Sequence, residues 1–209
     1  MVIIPQTSES LSQIADQITH GGVIAFRTDT FYGLGANPFN RQAGKKIREL
    51  KNREEKKPIL ILLSDQDQVR RFIAGRSPAF NLLAERFWPG PLTMVGRAAP
   101  EVPEEITAGT LTVGVRLPDD EEVCALVRAC GGALTATSAN PAGREAASTA
   151  QEVERYFGAA LELIVDGGKA RRDRPSTVLD LSMQVRLIRE GAIAWPEIQT
   201  AIAADASTF

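Results

Sequence analysis

The chain has 209 residues, 44% of them hydrophobic and 24% charged, an ordinary balance for a soluble globular protein long enough to bury a sizeable core. Its formal net charge of −2 excludes a global basic field for nucleic acid. No apolar run approaches the roughly 20 residues that span a bilayer.

In chain order, Leu11, Ile14, Ala15 and Ile18 form one apolar helical face over 10–20, with Ser10 as the expected N-cap. His20, the single histidine, falls at the helix end beside Gly21-Gly22, a capping position. Val23-Ile24-Ala25-Phe26 reads as a buried strand that delivers the chain into Thr28-Asp29-Thr30-Phe31-Tyr32-Gly33-Leu34-Gly35. In that loop Phe31 and Tyr32 are read as packing, and Gly33 and Gly35 as turn geometry. A helix over 41–51 follows and ends in a charge run containing Lys51, Arg53 and Lys57. The run is either a solvated face or, because Lys51 and Arg53 are two apart, a phosphate site; spacing alone leaves both open. Ile59 to Leu63 is a strand, and 66–74 and 77–87 are helical. Phe87-Trp88-Pro89-Gly90-Pro91-Leu92-Thr93 is a rigid corner buried by Trp88.

Met94 to Gly96 continues as a strand, and 97–111 is loop-like. Leu111 to Leu117 alternates, which places Thr112, Gly114 and Arg116 on one face and apolar residues on the other. A helix over 119–130 opens on acids that suit its dipole. The short strand at 133–136 runs into Thr137-Ser138-Ala139-Asn140, a second polar strand exit. A helix near 149–157, a strand at 161–166, a basic loop at 167–176, two closing strands (177–181 and 184–189) and a helix at 195–203 complete the reading. The expectation is one α/β domain over 1–209, built on a single twisted, mixed, open sheet with helices on its faces.

The chemical inventory is narrow. Cys124 and Cys130 fit no metal-ligand spacing and no secretory signal opens the chain, so reduced thiols and a cytoplasmic location are expected. No Ser-His-Asp set, Walker pattern or G-x-G-x-x-G is present. Hydroxyls, an amide and backbone groups at strand exits, with Lys and Arg nearby, suit phosphoryl or nucleotidyl chemistry, where positioning and charge stabilisation supply most of the catalysis. They also suit a module that binds nucleotide or single-stranded nucleic acid.

The T-D-T-F-Y-G-L-G stretch, Lys51-Asn52-Arg53 with Lys57-Pro58, Phe87 to Thr93, Val115-Arg116-Leu117-Pro118, Thr137 to Asn140 and Pro175-Ser176-Thr177 resemble, in order, the signatures of the YrdC-like family, the threonylcarbamoyl-AMP synthases. The likeness runs from about residue 8 to 203 and is to the single-domain form, since the chain stops too soon for the C-terminal domain of longer members. It implies condensation of L-threonine, bicarbonate or CO₂ and ATP to threonylcarbamoyl-AMP and pyrophosphate in a deep basic groove. Proteins of the threonylcarbamoyl transfer machinery would then modify tRNA, with a direct tRNA contact as a further expectation. No membrane partner is implied.

By the same resemblance, Thr30, Leu62 (through its backbone), Arg116, Ala136 and Ser176 contact threonine. Arg53, Lys57, Thr112, Ser138, Ala146 and Arg189 surround ATP, and Lys51, Arg53, Ser138 and Asn140 are catalytic. Mg²⁺ is carried mainly by the ATP phosphates rather than by protein side chains. Arg27 stands where the family usually has proline, and the bottom-up reading gives it no role. The alternatives are an RNA-binding module of the same fold and a paralogous carbamoyl-adenylate-forming enzyme with another substrate.

Overall fold

The computed structural model describes residues 2–51, 57–171 and 174–206. The first half of the chain forms β1 (Val2–Pro5), α1 (Leu11–Thr19), β2 (Ile24–Arg27), β3 (Tyr32–Gly35), α2 (Arg41–Lys51), β4 (Ile61–Leu63), α3 (Pro78–Phe87) and β5 (Leu92–Arg97). The second half forms α4 (Glu104–Thr107), β6 (Thr112–Arg116), α5 (Glu121–Ala129), β7 (Ala133–Thr135), β8 (Thr137–Ser138), α6 (Ala150–Phe157), β9 (Leu163–Asp166), β10 (Thr177–Asp180), β11 (Arg186–Arg189) and α7 (Trp195–Ala206). Residues 66–71 make a 3₁₀ turn.

The α/β class holds, but the single expected sheet is two. One has the order β1-β9-β2-β3-β8, the other β11-β10-β5-β6-β4-β7. The division is made at Ala136. Before it, β7 pairs with β4; after it, β8 pairs with β3. Thr135 N–H donates to Ala36 O and Ala136 N–H to Leu60 O, so one short segment is bonded into both sheets.

Alternation along the strands decides what each face meets. Val113 and Val115 of β6 enter a large core with Leu92 and Met94 of β5, while Thr112, Gly114 and Arg116 face a cleft, as the pattern predicts. On the opposite side α1 and α5 lie across the junction of the sheets. There Ile14, Ile18, Val123 and Val127 bury Ile24 and Phe26 of β2 with Leu62 and Leu134. Each such side chain contributes roughly 1.5–3 kcal/mol on burial.

The helix ends follow their sequence signals except at α1. Ser77, Asp120 and Thr149 cap α3, α5 and α6 by accepting from the third residue on. Ser10 instead donates its hydroxyl to Pro5 O at 2.8 Å and makes no cap bond, so it fastens the exit of β1. His20 is the C-cap residue of α1, its Nδ1 2.7 Å from Asp16 O. Trp88 is buried and donates Nε1–H to Leu92 O at 2.6 Å; the Trp88–Pro89 peptide is cis. Cys124 and Cys130 are free thiols, pushed up to about 11 and about 12 chiefly by burial.

Gly33 and Gly35 are not turn residues. Both lie inside β3, and a Cβ on Gly35 would stand 2.7 Å from the Phe26 ring across the strand pair. Gly35→Ala is therefore expected to cost about 1–3 kcal/mol by overpacking. A lowered midpoint in urea with an unchanged slope checks it.

Candidate active site

The β2–β3 connection is a tight turn held by its own hydroxyls. Thr28 Oγ1 donates to Phe31 O at 2.7 Å and accepts from Thr30 N–H at 3.1 Å. Its single proton is thus committed, so the 3.1 Å contact between Thr28 Oγ1 and Thr30 Oγ1 takes its proton from Thr30. Lone pairs of Thr30 Oγ1 are left for the guanidinium of Arg116, whose Nη1 and Nη2 both lie at 3.4 Å. Arg116 is only 2% exposed, yet it lines the cleft. Its Nη2 stands 3.0 Å from Oδ1 of the buried Asp29, which does not line the cleft and braces Arg116 from behind.

The opposite side of this end comes from β5, β10 and β11. Ser176 Oγ lies 2.9 Å from Thr93 Oγ1, and Arg189 Nη2 donates to Ser176 O at 2.9 Å. Partial withdrawal from water lowers the Arg189 pKa, and the charge of Arg116 adds to that. Two guanidiniums facing one cleft end make an electrostatic well for an anion. Further along, the floor is apolar: Gly114, Val95, Val178 and Ile188 lie between the two polar ends. A Cβ on Gly114 would approach Thr93 Cγ2 to 3.3 Å and raise that floor. At the far end Asp180 accepts from Arg186 Nη2 at 2.9 Å and from Ser182 Oγ at 2.6 Å.

The remaining wall is the second polar strand exit. Lys51, at the end of α2, donates Nζ–H to the carbonyls of Ser138 and Asn140, the latter at 2.9 Å. Asn140 Nδ2 donates to Arg144 O at 2.6 Å and closes the 140–144 turn. Lys51 is 5% exposed and lies behind Ser138 and Asn140, which line the cleft. Its charge reaches the cleft through that wall.

The whole cleft has a volume of about 990 Å³, at the upper end of the roughly 300–1,000 Å³ of small-molecule sites. Among the described residues, its lining carries Lys57, Arg116, Arg144, Arg186 and Arg189 against the one carboxylate of Asp180. The structure brings Thr30, Lys57, Thr112, Arg116, Ala136, Ser138, Asn140, Ala146, Ser176 and Arg189 to this one cleft. Arg53 lies outside the described residues. Leu62 does not belong: its side chain is in the core under α1 and α5, and its backbone sits in the ladders to Arg116 and Leu134. Leu60, not Leu62, is among the residues that line the cleft.

Sequence reasoning gave no ligand-facing place to Phe31, Thr93, Arg144 or the Asp180–Arg186 pair, all of which line the cleft. Thr93 was detectable as the polar residue closing the Trp-Pro-Gly-Pro corner. Tyr32 is a core residue, as read, but its hydroxyl also donates to Gly168 O at 2.7 Å.

Against known proteins, the profile of the Sua5/YciO/YrdC family, described as telomere recombination, matches residues 16–191. The chain belongs to the Sua5/YciO/YrdC family. A family relative from Thiobacillus denitrificans named threonylcarbamoyl-AMP synthase is 39% identical over 165 residues, 79% of this chain and 87% of that protein. A relative from Pyrococcus abyssi with the same name is 37% identical over 186 residues, and the match covers 88% of this chain but 55% of that protein. Among solved Sua5/YciO/YrdC structures, P. abyssi Sua5 complexed with L-threonine superposes with a TM-score of 0.92 at 35% identity, covering 97% of this chain and 61% of that one. Escherichia coli YciO superposes with a TM-score of 0.81 at 25% identity, over 90% and 92% of the two chains.

Proposed function

We propose that the chain is an L-threonylcarbamoyladenylate synthase, a nucleotidyltransferase that condenses L-threonine, bicarbonate or CO₂ and ATP to threonylcarbamoyl-AMP and pyrophosphate. The observation that carries this reading is the end of the cleft where Arg116, braced by Asp29, meets Thr30, Ser176 and Arg189. A buried fork of donors of that kind holds an α-carboxylate in one orientation. The named family relatives and the threonine complex of P. abyssi Sua5 support the choice of threonine.

With the carboxylate fixed, the α-amine of threonine is directed along the cleft. It attacks CO₂, loses a proton and becomes a carbamate. The carbamate oxygen then attacks the α-phosphorus of ATP; a P–O bond forms as the bond to pyrophosphate breaks. The adenine rests on the apolar floor around Gly114, Val95 and Val178. Lys57, Arg144 and the Lys51-braced Ser138 and Asn140 hold the phosphates. No side chain acts as a covalent nucleophile, so positioning and charge supply the catalysis. Among the described residues, Asp180 is the one carboxylate on the cleft wall, and it is already bonded to Ser182 and Arg186. The donor set therefore suits Mg²⁺ brought in on the triphosphate, where it neutralises phosphate charge. The product serves threonylcarbamoyladenosine modification of tRNA through transfer proteins in the cytoplasm. Among the described residues no helix is long and apolar enough to cross a membrane.

The test is pyrophosphate release from ATP and bicarbonate with each amino acid in turn. Release that depends on L-threonine is expected. Release independent of threonine, or faster with another amino acid, overturns the assignment. Tight, salt-dependent RNA binding without ATP binding favours a nucleic-acid module instead.

A further inference from the structure

Two arginine–aspartate pairs cross between the same two chain segments. Arg116, at the end of β6, meets Asp29, just beyond β2, at 3.0 Å. Arg27, at the end of β2, meets Asp120, just beyond β6, at 2.6 Å. Each segment thus lends the other one cation and one anion. All four side chains are at most 3% exposed. One contact between two segments leaves a pivot, whereas two opposed contacts fix both their separation and their rotation.

The pairs differ in what they face. Arg116 of the inner pair lines the cleft, while neither member of the outer pair does. The outer pair is nonetheless built with care. Asp120 is the N-cap of α5 and also receives Arg171 Nε at 3.4 Å. Arg27 Nη2 reaches Glu122 at 2.7 Å as well. A Cβ on Gly167 would stand 2.9 Å from Arg27 Nε, so the start of the 167–171 segment packs directly on this arginine. Arg27 immediately precedes Thr28, whose hydroxyl sets the turn that presents Asp29 and Thr30 to Arg116.

We propose that Arg27 is a positioning residue for the amino-acid end of the cleft. With Asp120 it fixes the Thr28–Thr30 turn, so that Asp29 and Thr30 hold the Arg116 guanidinium in the pose that receives the α-carboxylate. The inference rests on the reading of this end as a threonine site. It also separates Arg27 from the nucleotide wall, which is built by other segments.

Calorimetric titration of L-threonine and steady-state kinetics on the full chain test it, with Arg27→Met and Arg27→Lys. Arg27→Met is expected to raise the KM and Kd for L-threonine about tenfold, as a misplaced positioning group does, with the KM for ATP held within about twofold. Arg27→Lys, which keeps a cation against Asp120, is expected to recover part of that loss. An unchanged threonine KM in Arg27→Met overturns the proposal, and so does an equal rise in both KM values, which marks general loosening. If Arg27→Met does not fold, Asp120→Asn decides by the same split. A wild-type chain that binds no L-threonine overturns the reading of the cleft itself. One that binds it, with Arg27→Met binding equally well, overturns the clamp alone.

Discussion

Arg116→Ala is expected to weaken L-threonine binding by about 1.5–3 kcal/mol, roughly 10- to 150-fold, with ATP affinity nearly intact. The size follows from losing a charge-assisted, two-pronged contact to a carboxylate. The selectivity follows from geometry, because Arg116 belongs to the end shared by Thr30 and Ser176, whereas Lys57, Ser138 and Asn140 stand on another wall. The substitution has a second consequence. It leaves the Asp29 carboxylate, 1% exposed, without the arginine that neutralises it, and orphaning a buried charge typically costs about 3–5 kcal/mol of stability. Binding and folding effects therefore need separating. Arg116→Met combined with Asp29→Asn removes both charges and is expected to restore most of the stability without restoring threonine binding. Isothermal titration with each ligand, beside a urea melt of each variant, reads both quantities. Equal loss of threonine and ATP affinity contradicts the assignment of Arg116 to the amino-acid end.

The double variant Ser138→Ala with Asn140→Ala is expected to abolish adenylate formation, with kcat/KM for ATP down by about 10²–10³ or more, while the fold persists. The contacts explain why the fold survives. Lys51 holds this segment mainly by the backbone carbonyls of residues 138 and 140, which the substitutions leave in place. What is lost is the Asn140 amide bond to Arg144 O and the side-chain surface facing the cleft. The backbone bond from Arg144 N–H to Pro141 O remains, but the turn loses the amide that ties it to residue 140, and the placement of Arg144 loosens. Pyrophosphate release at saturating threonine measures the effect, and the far-UV circular dichroism spectrum checks the fold. Full activity in this variant would remove the second strand exit from the site.

Much of the cleft was legible because strand alternation is a strict period of two. Thr112, Gly114 and Arg116 had to share a face, and they line the cleft together. The polar exits after β2 and β7 were legible for a similar reason, as hydroxyls and amides directly after apolar runs. Alternation says nothing about which strands pair. That is why the division into two sheets at Ala136 escaped notice, along with β1, a four-residue edge strand recruited by β9. Leu62 is absent from the cleft lining because its side chain faces α1 and α5, on the other side of an interior strand. The short helix α4 had a start signal, Pro103 followed by Glu104 and Glu105, inside a stretch read as loop. Arg27 could not be placed because its partners, Asp120 and Glu122, lie more than ninety residues away and become neighbours only once the sheets are assembled.

The single-residue crossing at Ala136 has a mechanical consequence. Arg116 rides on one sheet and Ser138 on the other, and the shortest of the chain's crossings between the sheets is the single residue between β7 and β8. A molecule that touches both therefore acts as a splint across a joint. It stiffens two layers at once, and the stiffness it confers spreads along every strand bonded to them.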